Sequence, residues 1–433
     1  MNEFEATITD LGHDGRGVTR IDGKTVFVSG ALLGEQVRLR IRKRHRHFDE
    51  ADIVELLSRS PHRVEPRCRH FGQCGGCSLQ HLDAESQILT KQRVLADNFE
   101  RIGKVEPAAW MSPLTDEPWG YRRKGRLSVR HVAKKGRVLV GFREESNPRF
   151  VADITQCEVV HPALGPKIGL LADMISGMDA AADIAQIEFA AGDDTVALVF
   201  RHLKPLSERD SAALVAFGQE HGFAIYLQPG GLSSVHPLWP EHPRLAFRLD
   251  EGAVELEFRP LDFVQVNAGM NQRMLSQALG LLDLQPTDRV LDLFCGLGNF
   301  TLPIARRVAE VVGVEGEHGL VERAAENATR NGIANAQFRV ANLFEDQRGT
   351  DWARASWNKI LLDPPRAGAD KVLEYLPRKD TQRIVYVSCH PGSLARDAGI
   401  LVQKHGFRLV SAGVMDMFPH TAHVESIALF ERD

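Results

Sequence analysis

The sequence predicts a multidomain α/β protein organised around a carboxyl-terminal doubly wound domain, and three observations predict it. The chain has 433 residues, two to three times the usual domain size, so more than one hydrophobic core is expected. After Pro260, strand-like and helix-like segments alternate, the pattern of parallel strands joined by crossover helices. At the head of that alternation Asp288 to Thr301 reads DRVLDLFCGLGNFT: an apolar strand, a turn with Gly296 and Gly298, and the start of a helix. With 43% hydrophobic and 25% charged residues the balance is that of an ordinary globular protein, and no apolar run approaches the roughly 18 residues that span a bilayer.

The segment MNEFEATITDLGHDGRG carries acids and no apolar stretch, unlike a secretory or Arg-rich transit peptide, so a cytoplasmic location is expected. From Phe4 to about Leu57 short β segments follow one another, ATITDLG, GRGVTRIDG, KTVFVSG and EQVRLRIRKR, with a hairpin expected at Asp22-Gly23. A small β-barrel over residues 1–60 accommodates them. Pro61 and Pro66 close the barrel and lead into a Cys-rich loop at 68–77, then an amphipathic helix from about Ala84 to Ile102. The rest of a central region, 61–260, reads as strands with helical pieces near 164–177 and 206–221, and pattern alone assigns it no fold. In 261–433 the order is RVLDLF, a helix from Asn299, VVGVE, a helix from about His318, AQFRVAN, KILLDPP, RIVYVSC, FRLVSAGVMDMFP and HVESIALFER. There is no internal repeat.

Charge divides unevenly. Residues 1–150 hold 27 Lys and Arg against 20 Asp and Glu, while the remainder holds 26 against 37. Six cations, Arg38, Arg40, Arg42, Lys43, Arg44 and Arg46, fall within nine residues, and nine more lie between Glu117 and Glu144 with no acid among them. Each run alone could be a solvated strand face; two in one third of the chain point to a polyanion such as nucleic acid.

Glycines 296 and 298 let the backbone approach a ligand at a strand's carboxyl end, where open α/β sheets bind. The third glycine of a dinucleotide fingerprint is missing, so a nucleotide without a pyrophosphate fits better than NAD. The next strand ends in Glu315, 23 residues after Asp292, where a carboxylate can accept hydrogen bonds from a ribose diol. Together these describe an S-adenosylmethionine pocket. Asn342 and Asp363 end the third and fourth strands at the same edge; each could equally be a turn or cap residue.

The fifth strand delivers Cys389 to that edge, before His390 and the helix-starting Pro391. A free Cys is usually a small buried hydrophobe. At a strand end beside a helix start, however, an accessible thiol with a favoured thiolate is expected. Pyrimidine C5 is too weak a nucleophile to take a methyl group unaided; a thiolate adding to C6 makes C5 enolate-like, and a base must then remove the C5 proton. MDMFPHTAHVES offers Glu425, with His420 and His423, for that base.

Six cysteines occur, and Cys68, Cys74 and Cys77 have metal-ligand spacing, with Cys157 the candidate fourth ligand outside the last domain. On spacing alone zinc and an iron–sulfur cluster suit them equally.

LDLFCGLGNF, LLDPPRAG, YVSCHPGSLARD and MDMFPHTAHVE resemble the motifs of the RNA uracil-C5 methyltransferases, and the likeness runs over essentially the whole chain. HDGRGVTRIDGKTVFV resembles a TRAM domain, an RNA-binding module of the OB type. The resemblance implies Cys389 as nucleophile, Glu425 as base, and Gln265, Phe294, Asn299, Glu315, Asn342 and Asp363 as residues around S-adenosylmethionine. Barrel plus cysteine cluster implies the branch that modifies 23S ribosomal RNA, with a [4Fe–4S] cluster on Cys68, Cys74, Cys77 and Cys157. Saturated by four cysteines, that cluster would be structural or would contact RNA. The domains implied are a TRAM barrel at 1–60, a central α+β domain with the cluster and basic RNA-binding strands at 61–260, and a Rossmann-like methyltransferase domain at 261–433, acting as a monomer. One departure is His390, where the family usually has Asn. Rival readings are an adenine-N6 methyltransferase, which also carries a DPP motif but needs no thiol, an RNA chaperone with a vestigial methyltransferase domain, and methylation of uridine in another RNA.

Overall fold

In the computed structural model, which describes residues 3–432, alternating apolar residues of the first segment form a six-stranded sheet. Residues 1, 2 and 433, counted above in the terminal domains, lie outside the described residues. Val26, Val28, Val37, Leu39 and Ala51 fill the sheet's interior. The first strand, Glu3–Thr7, meets the Gly17–Ile21 strand where Thr19 Oγ1 donates to the Thr7 carbonyl at 2.8 Å, closing a barrel. The hairpin forms at Asp22-Gly23, both at positive φ, 50° and 80°, as a two-residue turn between twisted strands requires.

Half of the first basic run is neutralised. Arg38 pairs with Glu5 and Glu55, Arg40 with Glu3, and Arg42 with Glu50 and Asp52, all on neighbouring strands. The second run keeps its field: Arg126, Arg130 and Lys134 are exposed on and just after the Lys124–Val132 strand, without an ion pair among the described residues. Lys43, Arg44 and Arg46 of the first run are likewise exposed, so both the barrel and the central sheet contribute to the expected polyanion surface.

That central region is a six-stranded sheet flanked by the helices Ile168–Ser176 and Glu208–His221. One of its faces continues into the catalytic core, where Ala197 and Tyr226 join a cluster with Val290, Val311 and Ile427. A shared apolar core of this kind holds two domains rigidly together.

The carboxyl-terminal sheet has eight strands. Ala336–Val340, Glu310–Glu315, Arg289–Leu293, Lys359–Leu362 and Arg383–Ser388 run parallel, then Glu425–Glu431 lies antiparallel between Arg383–Ser388 and Arg408–Met415. Strand order reverses beside Arg289–Leu293, which opens a crevice at the carboxyl edge. The eighth strand, Ala109–Trp110, comes from the segment assigned by sequence to the central region. So does the helix Ala84–Asn98, extended by a π-helical turn at Phe99–Gly103; its Ile88, Leu95 and Phe99 pack into the catalytic core. We call it the anchor helix. The helix expected from Asn299 is short, Thr301–Ala305.

Candidate functional site

After the Arg289–Leu293 strand the backbone turns left-handed at a non-glycine residue, Phe294, with φ 66°. Its N–H and that of Cys295 donate to the Val314 carbonyl at 2.9 and 3.1 Å, which fixes the turn against the next strand. Glu315 completes the lock. One carboxylate oxygen accepts from the Gly296 amide at 3.2 Å, and the other from Gly316 and Glu317 at 2.6 and 3.0 Å. A carboxylate held by three amides is aimed before any ligand arrives, and the oxygen that accepts from Gly296 keeps a lone pair for a hydroxyl donor.

Around it the other sequence-predicted residues differ in their engagement. Asn299 exchanges two amide hydrogen bonds with Asn271, at 2.9 and 3.1 Å; that partner lies on the helix Ala268–Leu282 and carries no motif by which sequence could find it. Asn342 is exposed and caps its own turn, its Oδ1 accepting from the Phe344 amide at 3.1 Å. Phe344 and Phe294 lie 5.9 Å apart and form an aromatic wall. Gln265 is half-buried in a segment tied to the central domain by the Arg123 amide, which donates to the Val266 carbonyl at 2.8 Å. Asp363 sits deep though open on one side, and burial with the neighbouring Asp292 pushes its pKa up to about 7. Asp292, fully buried, is likewise pushed up to about 7 by burial; Thr301 donates to one of its oxygens, and the other is unpartnered.

Cys389 stands where the Arg383–Ser388 strand ends, half-buried. The expected favoured thiolate is corrected here: burial, then the charges of Glu425 and Asp363, push the thiol up to about 11, with Arg366 opposing. The helix start cannot offset two facing carboxylates and desolvation. His390 explains its own departure from the family pattern. Its Nδ1 accepts from the Ser393 amide at 3.1 Å, so it caps the helix Pro391–His405 as Asn would.

Glu425 opens the antiparallel strand beside Cys389's; its neighbour Ser426 lies directly across from Ser388. Burial and Asp363 hold its carboxyl well above the usual range, and Arg366 and Lys91 oppose. The loop before it, 416–424, is held from outside the domain. Lys91 and Gln87 of the anchor helix bond Asp416, Phe418 and His420, Tyr121 donates to the Pro419 carbonyl at 3.2 Å, and the amides of Ser78 and Leu79 both donate to the His420 carbonyl at 2.9 Å. His420 stacks on Trp119 at 4.0 Å, and burial drops its pKa to about 4. His423 reaches the cavity that Cys389 opens into.

That cavity, about 790 Å3, is the joint product of all parts of the chain: His13 and Asp14 from the barrel, Gly75 to Ser78 from the Cys-rich loop, Arg122 and Phe142 from the central region, and Arg366, Cys389 and His423 from the last domain. Arg366 is exposed, and sequence reading passed over it although LLDPPR ends in it. Its signal was position, one turn past the strand that carries Asp363.

Cys68, Cys74, Cys77 and Cys157 line one small cavity, as their spacing predicts, and Cys77 lines both this cavity and the larger one. Gly76 permits the approach, since a Cβ there would meet Phe142 at 3.2 Å and the Cys74 sulfur at 3.4 Å. Among the described residues no three ligating side chains converge as the shell of a single ion. Burial, reinforced by the other thiols, raises Cys74 to about 11 and Cys77 to about 12, and raises Cys157.

No helix among the described residues is long and apolar enough to cross a membrane. Residues 247–433 match the family model described as tRNA (Uracil-5-)-methyltransferase, and residues 2–54 match the TRAM domain. A 23S rRNA (uracil(1939)-C(5))-methyltransferase RlmD of Xanthomonas oryzae is 64% identical over 99% of this chain and 97% of its own length. Its counterpart in Stenotrophomonas maltophilia is 62% identical with the same coverage. The solved Pyrococcus abyssi tRNA (uracil-54, C5)-methyltransferase in complex with S-adenosyl-L-homocysteine superposes with a TM-score of 0.74 at 23% identity, covering 99% of this chain and 100% of that one, a likeness of fold. With relatives of such identity along nearly its whole length, the chain belongs to the RNA (uracil-C5)-methyltransferase family.

Proposed function

We propose that the chain methylates C5 of a specific uridine in 23S ribosomal RNA with S-adenosylmethionine as methyl donor, acting as a cytoplasmic monomer. The observation that carries this reading is Cys389 opening into a cavity walled by barrel, Cys-rich loop, central region and catalytic domain, beside a coupled Glu425. S-adenosylmethionine, when bound, supplies an electrophilic methyl group; Gln265, Phe294, Asn299, Glu315, Asn342 and Asp363 are the residues proposed to hold it.

Once its S–H proton has passed to solvent, the Cys389 thiolate attacks C6 of the uracil, forming the C6–S bond and moving the C5–C6 π electrons toward C5 and O4, so that C5 becomes nucleophilic. Glu425 then takes the C5 proton of the methylated adduct. The freed pair rebuilds the C5–C6 double bond, and the C6–S bond breaks with its electrons returning to Cys389. A thiol held protonated in the free protein resists stray alkylation until substrate fills the cavity.

The four clustered cysteines suit a [4Fe–4S] site. Four half-buried thiols whose charges would repel one another favour a cationic centre, and a cube spreads its ligands more widely than one ion does. Bound there, it would cross-link the Cys-rich loop to the central region. Anaerobically purified protein should carry about four irons per chain; zinc alone would overturn this assignment.

The activity reading is tested with a ribosomal RNA fragment bearing 5-fluorouridine at the target. Fluorine cannot leave as a proton does, so a methylated covalent adduct should accumulate on Cys389. Turnover without any adduct would overturn the covalent route.

A further inference from the structure

A base at Glu425 must ionise before it can accept a proton, and burial with the facing Asp363 opposes that, so a fixed positive charge nearby bears on its duty. The charged groups that face it are Asp363, Arg366 and Lys91. Asp363 opposes ionisation. Arg366 is exposed at the cavity, where the phosphates of an incoming RNA compete for it. Lys91, 1% exposed on the anchor helix, is shielded from substrate.

We propose that Lys91 is a positioning residue for Glu425: its buried ammonium fixes the 416–424 loop and faces the base from behind, so that Glu425 can take the C5 proton in the release step. This rests on the reading of Glu425 as the base. The ammonium donates to Asp416 Oδ1 at 2.6 Å and to the Phe418 carbonyl at 3.0 Å. Asp416 immediately follows Met415, the residue directly across from Glu425 in the sheet, so the ion pair sits at the base's own level. One helical turn earlier Gln87 accepts from the His420 amide at 2.9 Å and donates to the Leu82 carbonyl at 2.7 Å. Two turns of one helix thus grip the loop at 416, 418 and 420. Had the helix only to pack, an apolar side chain would serve as well, because a buried ion pair rarely stabilises more than the hydrophobic contact that replaces it. The charge itself is what an apolar side chain would lose.

The step balances as follows. The C5–H bond breaks and its proton forms an O–H bond on Glu425; the pair left on C5 forms the C5–C6 double bond; the C6–S bond breaks and its pair stays on the Cys389 sulfur.

Full-length protein with its metal content intact is mixed with an uridine-containing RNA fragment and methyl-labelled cofactor in single turnover, and transfer and release are followed separately on denaturing gels. Lys91→Met should transfer within about threefold of the parent yet release methylated RNA at least about tenfold more slowly, building up adduct. Release that is unslowed, or slowed only in step with transfer, overturns the proposal. Gln87→Met, which removes the second grip on the loop and leaves the Lys91–Asp416 ion pair in place, tests it even if Lys91→Met does not fold. Its release should stay within about twofold, and a stall there as deep as that of Glu425→Gln would place the effect in loop anchoring and overturn the role of the charge. Glu425→Gln is run beside them. If it releases product normally, the reading of Glu425 as base fails; if it traps adduct and Lys91→Met does not, only the assignment of Lys91 falls.

Discussion

The crevice around Glu315 and the cavity into which Cys389 opens share one sheet edge and are built in opposite ways. In the crevice polar groups are largely spoken for before a ligand comes: Glu315 is held by three amides, Asn299 by Asn271, Asn342 by its own turn. In the cavity burial and facing carboxylates disfavour the charged forms of the ionisable groups, pushing the Cys389 thiol up to about 11 and the Glu425 carboxyl well above its usual range, beside an exposed Arg366. The crevice is preorganised by local hydrogen bonds; the cavity is completed by its substrate. The difference suits a ligand that is small and invariant on one side and a large folded RNA on the other.

If the halves are separable, Cys389→Ala should abolish methyl transfer, by on the order of 10⁴-fold or more, while S-adenosylmethionine affinity measured by calorimetry stays within about twofold. Loss of both together would break the comparison. The next largest effect is one of pH. Because the Cys389 thiol is raised to about 11, its reactive thiolate is scarce at neutrality and grows with pH. Alkylation of the Cys389 peptide by iodoacetamide, read by mass spectrometry in the free protein, should therefore rise about tenfold per pH unit from 7 to 10. A plateau near pH 8 would mean the thiol is already activated without RNA.

The same contrast governs how much of the molecule was legible in the sequence. The crevice could be read because its parts are contiguous or one strand apart: the glycine turn, then Glu315, then Asp363 after KILL. Cys389 and Glu425 were legible as residues but not in their electrostatics, since desolvation and the facing Asp363 arise only when strands pack side by side. The anchor helix was recognised as a helix, but its apolar face gives no sign of which domain it joins; only the contacts of Ile88, Leu95 and Phe99 decide that. Likewise the sequence shows the charges of Arg38, Arg40 and Arg42 but not their partners, because Glu3, Glu5, Glu50, Asp52 and Glu55 are brought beside them only by strand pairing.

A smaller effect is expected on the crevice side. Glu315→Gln removes a charged acceptor from a site whose amides remain, and S-adenosylmethionine binding should weaken roughly 10- to 100-fold, as for loss of a charge-assisted hydrogen bond. Alkylation of Cys389 at fixed pH should be unchanged within about twofold, since Glu315 is not among the groups that set its thiol. A large change there would show that the halves are electrostatically joined.

The smallest effect is expected at His390, which lies on the border between the nucleophile and the helix behind it. Its backbone is extended, φ −147° and ψ 109°, and Pro391 follows at the first helical position, so the residue is a cap by geometry. The Nδ1 acceptor meets the Ser393 amide at 3.1 Å, which requires the tautomer carrying its proton on Nε2. An Asn Oδ1 reaches the same amide from the same position. His390→Asn should thus leave stability within about 0.5 kcal/mol in urea unfolding and methyl transfer within about twofold, whereas His390→Ala, which leaves that amide without its cap, should cost about 1 kcal/mol. Transfer that falls tenfold in His390→Asn with stability unchanged would give the imidazole a part in the chemistry. Equality of the two caps would mean that what this position must supply is an acceptor holding the helix start beside Cys389, and that two side chains meet the requirement.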